Sequence, residues 1–163
     1  MTKRSPPNKI RVGICIGNLL GLLFPEKSRV LGGAEVQMYT YGLALAEDSA
    51  FDVHFLTSGE EMGSPLNRGD VTVHFVSFEM HISRGWKFQK ALQEIDADIW
   101  ITQVWGWTTN ELSWYCWKHR RKFIYWFASN REVQPVEDLA FLDRRRFWVR
   151  GMLSADVLIA QTL

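Results

Sequence analysis

Gly32-Gly33-Ala34-Glu35 is the part of this sequence best suited to holding a ligand. Two glycines directly before a helical stretch let the backbone approach a ligand closely. The free N–H groups and the positive end of such a helix favour phosphate. Glu35 falls in the first turn, where a negative charge suits the helix dipole. The same glycines would also serve a plain tight turn. Two standard nucleotide fingerprints are missing. The preceding Gly17-Asn18-Leu19-Leu20-Gly21 does not fit GxGxxG, and GK[ST] does not occur.

Two further stretches hold polar and aromatic groups where strands are expected to end. In Gln103-Val104-Trp105-Gly106-Trp107, tryptophans flank a glycine and could stack on a sugar ring; core or lid packing is the alternative. Ser129-Asn130-Arg131-Glu132 could bind hydroxyls or position a carboxylate, or be a solvated loop. Gln103, Trp105, Trp107, Ser129 and Asn130 are therefore candidate ligand contacts. The histidines form no catalytic set: His54 and His74 alternate with apolar residues, His119 joins a basic run, and only His81 is expected in a loop near a site. No Ser-His-Asp or Cys-His arrangement and no paired carboxylates follow from spacing. Cys15 and Cys116 have no ligand-spaced neighbours, so no metal is expected; buried thiols in a reducing compartment are.

Basic residues interleave with aromatics in Trp114 to Lys122 (WYCWKHRRK) and Arg144 to Arg150 (RRRFWVR). Lys118, Arg120, Arg121, Lys122, Arg144, Arg145 and Arg146 would suit an anionic membrane surface. They would also suit RNA, a protein partner, or simply a solvated helix end. The formal net charge of +1 gives no argument for nucleic acid, and none is expected as a partner.

These residues need a scaffold. The length of 163 residues and 47% hydrophobic content predict one globular domain, 10–163, after a loose polar tail at 1–9. The basic start and the apolar run Val12 to Phe24 imitate a signal peptide. Gly13, Gly17, Asn18 and Gly21 interrupt the run, and it is shorter than the roughly 20 residues that span a bilayer. It reads as a buried strand, Ile10 to Ile16, followed by a loop from Asn18 to Leu31. A helix from Gly33 is expected to turn Val36, Tyr39, Leu43 and Ala46 to the core. Gly42 within it costs about 1 kcal/mol against alanine unless close packing requires it. Strands are expected at Phe51–Thr57, Val71–Phe78, Asp98–Val104, Phe123–Ala128 and Asp156–Ala160, and helices at Arg84–Ile95, from a Thr108 or Thr109 cap to His119, and at Leu139–Leu153. Ser58 to Asp70 reads as a loop. Apolar strands alternating with helices predict an α/β, Rossmann-like parallel sheet with helices on both faces.

Four features resemble the N-terminal domain of a GT-B fold glycosyltransferase, in particular family 4 of retaining enzymes. They are Gly32–Glu35 at a helix start with Asp52-Val53-His54-Phe55-Leu56-Thr57 after the helix; the early strand with its long glycine-containing loop; Ala97-Asp98-Ile99-Trp100; and Ala155-Asp156-Val157-Leu158-Ile159-Ala160. The resemblance covers roughly 10–162. It implies transfer of a sugar from a nucleotide-sugar to a glycan or lipid-linked acceptor, without metal or cofactor. Gly32 and Gly33 would approach the donor diphosphate. Gln103, Trp105, Trp107, Ser129 and Asn130 would face the acceptor. Gln103 and Ala128-Ser129 stand where the family often carries histidine. The donor-binding domain with its paired glutamates has no counterpart here. The chain alone is therefore expected to be inactive and to work with a C-terminal donor domain, on the same or another chain. A cytoplasmic location, peripheral at a membrane, is expected. The alternatives are a non-enzymatic binding module using the aromatic-basic surface and a small nucleotide-binding enzyme with an unusual loop.

Overall fold

A computed structural model of the protein describes residues 9–26, 32–59, 65–76, 84–104, 106–128 and 148–160. The tail at 1–8 and the segment 129–147 lie outside them, as do Trp105, Ser129, Asn130, Arg144, Arg145, Arg146 and His81.

The elements are β1 (Ile10–Ile16), α1 (Leu20–Leu23), α2 (Gly33–Ala46), β2 (Phe51–Ser58), β3 (Leu66–Arg68), β4 (Val71–Val76), α3 (Arg84–Ile95), β5 (Ile99–Thr102), α4 (Trp107–His119), β6 (Lys122–Trp126) and β7 (Val157–Ile159). Residues 148–153 are also helical. The strands form one sheet in the order β3-β4-β2-β1-β5-β6-β7. Every pairing is parallel except β3 with β4. With β3 set aside, strands step outward from β1 in one direction and then, from β5, in the other. This is the Rossmann-like arrangement, and its ligand crevice lies outside the carboxyl ends of β1 and β5.

β1 is buried along almost its full length because it has neighbours on both edges and helices on both faces. Val12, Ile14 and Ile16 face one core with Leu19, Leu23, Met38, Val53 and Phe55. Cys15 faces the other with Phe88, Leu92, Trp100, Leu112, Tyr115 and Trp148. Three expectations are corrected. The region read as a loop after β1 contains α1, whose Leu23 anchors it in the core. The region read as a loop after β2 contains β3, a short polar edge strand invisible to hydrophobic periodicity. The face of α2 is rotated: Met38 and Gly42 are buried, Tyr39 and Ala46 pack at the margin, and Val36 and Leu43 are exposed.

Gly42 sets that rotation. A Cβ there would lie 2.3 Å from Phe55 Cζ and 2.8 Å from Ile14 Cδ1. The helix touches the sheet through its smallest residue, and the branched side chains turn outward. Gly42→Ala is expected to destabilise the chain by about 1–3 kcal/mol despite alanine's higher helix propensity, because overpacking outweighs it. Urea denaturation would read the change; an unchanged midpoint would refute this account of the packing.

The two Ala-Asp dipeptides have a structural explanation. Asp98 Oδ2 accepts the Arg11 N–H at 3.0 Å, and Asp156 Oδ2 accepts the Phe123 N–H at 2.9 Å. Each carboxylate thus satisfies a backbone donor near the start of the neighbouring parallel strand. Asp98 also receives Arg121 Nη1 at 2.9 Å, and Asp156 pairs with Lys122 Nζ at 2.8 Å. The Lys122 ammonium, then the Phe123 N–H, hold the Asp156 carboxyl below its ordinary value. Asp98→Ala strips both Arg11 N–H and Arg121 of this partner and is expected to cost roughly 1–3 kcal/mol in denaturant unfolding.

Candidate functional site at the β1–β5 crevice

The site begins with the chain leaving β1. Gly17 O accepts the Ser58 N–H at 3.0 Å, and the Leu19 N–H donates to Thr57 Oγ1 at 3.0 Å. The end of β2 therefore fixes the turn after β1. Across the crevice, Thr102 Oγ1 donates to Cys15 O at 2.9 Å and accepts the Val104 N–H at 3.0 Å. These bonds hold the ends of β1 and β5 together.

α2 starts over this crevice. Its N-cap, Gly32, is extended (φ −87°, ψ 148°) and no side chain caps the helix. The N–H groups of a first turn have no partners within the helix. A Cβ on Gly33 would meet no atom of the described residues within 4 Å. Among those residues, neither packing nor a left-handed backbone requires glycine at 33. Glu35 turns its carboxylate back over the helix start. A Cβ on Gly32 would lie 2.0 Å from Glu35 Oε2, and one on Gly17 would lie 3.1 Å from Oε1. Gln103 directly follows β5 and is 5% exposed; its Nε2 donates to Gln37 Oε1 of α2 at 3.0 Å, while its Oε1 is buried with no hydrogen-bond partner.

Of the sequence-predicted set, Gly32 and Gly33 stand at the start of α2, and Gln103 reaches the same helix through Gln37. Trp107 is the first residue of α4, partly buried and edge-on to the Phe88 ring at 5.5 Å. The expected Thr108 or Thr109 cap is corrected: Gly106 is the N-cap, with a φ of 130°. Both threonines are buried inside the helix, and Thr109 Oγ1 donates back to Val104 O, tying the helix to the end of β5. Glu35 and Gln37 are site members that sequence reading did not join to Gln103. Their meeting depends on the position of α2 over the sheet, which the local pattern does not encode.

The other reactive groups lie elsewhere and are quiet. Burial pushes both the Cys15 and Cys116 thiols up to about 12, far from a nucleophilic thiolate at neutral pH. His54 Nδ1 and His74 Nε2 are 3.0 Å apart on β2 and β4, with Asp52 Oδ1 3.2 Å from His54 Nε2 and Asp52 Oδ2 2.9 Å from Arg11 Nε. Burial lowers both imidazoles, and for His74 the neighbouring His54 and Arg11 lower it further, to about 4.

A second concavity of about 910 Å³ opens at the opposite end of the sheet, where β6 and β7 begin. Trp114, Trp117, Arg120, Arg150, Ser154 and Asp156 are among the residues around it. Lys118 lies over the Trp114 ring at 4.7 Å from its centroid, and Trp117 is 77% exposed. Arg121 is engaged by Asp96 and Asp98, and Lys122 by Asp156. No helix among the described residues is long and apolar enough to cross a membrane.

No family model and no curated protein matches this sequence. Solved structures do. The chain is similar to the UDP-GlcNAc 2-epimerase of Methanocaldococcus jannaschii with a TM-score of 0.60 and 12% identity, covering 94% of this chain and 40% of that one. A putative UDP-N-acetylglucosamine 2-epimerase from Listeria monocytogenes matches with a TM-score of 0.57 and 14% identity over 93% of this chain and 39% of that chain. The Bordetella bronchiseptica enzyme WbmG, solved in complex with NAD, matches with a TM-score of 0.52 and 8% identity over 94% and 53%. The chain spans about 40% of the epimerase chains it matches. These likenesses establish a shared Rossmann-like fold.

Proposed function

We propose that this chain is the acceptor-side domain of a nucleotide-sugar-processing enzyme of GT-B type, and that the reaction is sugar transfer to a glycan or lipid-linked acceptor. The setting of Gly33 carries this reading. Among the described residues a side chain there would meet nothing, which supports a glycine kept for a ligand that approaches the helix end. The first-turn N–H groups would receive a donor phosphate at the junction of β1, β5 and α2. A second α/β domain would grip the nucleotide and close the crevice. The resemblance at Gly32–Glu35 supports the assignment, as does the fold shared with enzymes named for UDP-GlcNAc.

The reading frame beyond the Leu163 codon provides the test. An open frame for a second Rossmann-like domain is expected, and the joined protein should move radiolabelled sugar from a nucleotide-sugar to an acceptor. A stop codon without a neighbouring partner gene would count decisively against it. Conversion of UDP-GlcNAc to an epimer with no acceptor product would replace transfer with epimerisation.

We also propose an anionic membrane surface as a partner of the basic-aromatic end, through Trp114, Trp117, Lys118, Arg120 and Arg150, with Arg144, Arg145 and Arg146 beside them in sequence. Exposed tryptophans and cations on one surface fit an anionic interface. Co-sedimentation with phosphatidylglycerol vesicles should fall at least about tenfold in a Trp117→Ala, Arg120→Ala double variant and weaken with salt. Equal binding to neutral phosphatidylcholine vesicles would refute the electrostatic part.

A further inference from the structure

Arg120 closes α4 in a backbone conformation that suits glycine. Its φ of 54° and ψ of 39° are left-handed. Glycine is the usual residue at such a helix end, because a Cβ crowds the following carbonyl oxygen there. Asp96, the other non-glycine with positive φ among the described residues, spends its side chain on Arg121. Arg120 does not: no hydrogen bond or ion pair engages its guanidinium among those residues. Strain kept without a contact in the fold points to a contact outside it.

Arg120 lines the concavity of about 910 Å³ at the start of β6 and β7. A Cβ on Gly151 would lie 2.9 Å from Asn110 Cα, so helix 148–153 rests on the backbone of α4. Into the concavity α4 brings Trp114 and Trp117, and helix 148–153 brings Arg150, whose guanidinium also has no acceptor among the described residues. The remaining charges are spent within the fold. Arg121 is held by Asp96 and Asp98, Lys122 by Asp156, and Glu111 accepts Gln89 Nε2 at 2.9 Å. Lys118 covers the Trp114 ring, whereas no ring or cation among the described residues covers Trp117.

We propose that this concavity binds a phosphate monoester with a ring or apolar body, Arg120 and Arg150 taking the phosphate and Trp117 the body. A guanidinium presents parallel N–H donors that fit phosphate oxygens in pairs. A monoester carries close to two negative charges at neutral pH, matching two free guanidiniums, where a sulfate ester or a phosphodiester carries one. The concavity falls in the roughly 300–1,000 Å³ range of small-molecule pockets and far exceeds a bare phosphate, so the ligand has a body. The site lies at the opposite end of the sheet from the β1–β5 crevice, so it does not rest on the sugar-transfer reading. It narrows the membrane reading from a surface that responds to charge to a pocket that recognises one group. The monoester can belong to a lipid headgroup or to a soluble molecule.

The test titrates the full chain with phenyl phosphate, phenyl sulfate and inorganic phosphate, read through the Trp117 indole N–H and the Arg120 and Arg150 amide resonances. Phenyl phosphate should act at roughly tenfold lower concentration than either of the others, since one lacks a charge and the other the ring. Arg120→Gly should weaken phenyl phosphate at least about tenfold while the melting temperature holds or rises, because glycine relieves the left-handed strain. Arg150→Gln should weaken it comparably, and Trp117→Ala should remove its advantage over inorganic phosphate. Vesicles of phosphatidic acid and of phosphatidylglycerol, matched in charge, distinguish the sources. Preference for phosphatidic acid, reversed by phenyl phosphate, assigns the monoester to a lipid headgroup; equal binding to both with the soluble response intact assigns it to a soluble molecule. Equal responses to phenyl phosphate and phenyl sulfate would overturn the pocket and leave only a diffuse anionic surface. Full binding by a folded Arg120→Gly variant, or silence of all three resonances, would also overturn it, and the sugar-transfer reading would stand untouched.

Discussion

Gly33→Val should abolish nucleotide-sugar binding at the α2 helix start, with an affinity loss of roughly a hundredfold, while leaving the fold intact. The two halves of this result have separate causes. A Cβ at 33 meets nothing within 4 Å among the described residues, so the added side chain strains none of their contacts. Glycine at the first helical position carries an entropic penalty of about 0.5–1 kcal/mol relative to alanine, so Gly33→Ala should hold or raise the melting temperature. The space that accepts the side chain is also the space a diphosphate must enter to reach the first-turn N–H groups, and losing about 2.7 kcal/mol there is a hundredfold in affinity. Amide shifts of Ala34 and Glu35 under UDP-GlcNAc, read beside thermal melts, measure both halves. Full binding by a folded Gly33→Val variant would show that the glycine pair makes only a turn. Gly32 is less diagnostic, because a side chain there would displace the Glu35 carboxylate.

Acidification should destabilise the chain through the His54–His74 pair. His74 is buried and His54 largely so, both are neutral in the native state at pH 7, and His74 protonates only near pH 4. In the unfolded chain an imidazole takes up a proton at its ordinary value of about 6.5. Between these limits the unfolded state binds a proton that the native state refuses, so stability is complete above pH 6.5 and declines as pH falls toward 4. The His74 depression corresponds to roughly 3 kcal/mol at about 1.4 kcal/mol per tenfold change. Arg11, bonded to Asp52, keeps positive charge beside the pair and opposes any added proton. Urea denaturation at pH 7, 5 and 4 should show a steep loss in the native chain and a shallower one in His74→Gln, which retains hydrogen-bonding capacity but does not titrate. Parallel losses in the two would place the acid sensitivity elsewhere.

The sequence was most legible where burial on two faces leaves a continuous apolar run. Ile10–Ile16 matches its predicted bounds for that reason, and Arg84–Ile95 matches because Phe88, Leu92 and Ile95 keep a clear helical spacing on its one buried face. Legibility failed where a contact across the fold decides the local outcome. Val36 and Leu43 have helical spacing, yet Gly42 turns them out because only a glycine fits over Phe55 and Ile14. Thr108 and Thr109 have good cap chemistry, yet Gly106 begins α4 and Thr109 serves Val104 instead. At the site, the position of Gly32-Gly33 was readable because a glycine pair before a helix is a local signal. The Gln37–Gln103 bond joins α2 to the residue just after β5, far apart in the chain, and no spacing rule brings them together.

The central position of β1 also constrains how the molecule comes into being. Val12 pairs with Val53 on one edge and with Ile99 on the other. β1 thus acquires its second neighbour only after β5, much further along the chain, has been made. Long-range pairing of this kind slows folding, and until β5 arrives, one edge of a largely apolar strand stays open to pairing with other chains. A chain interrupted before Thr102 should therefore aggregate rather than remain a soluble partial fold. Slower translation would lengthen the time for which that edge is exposed.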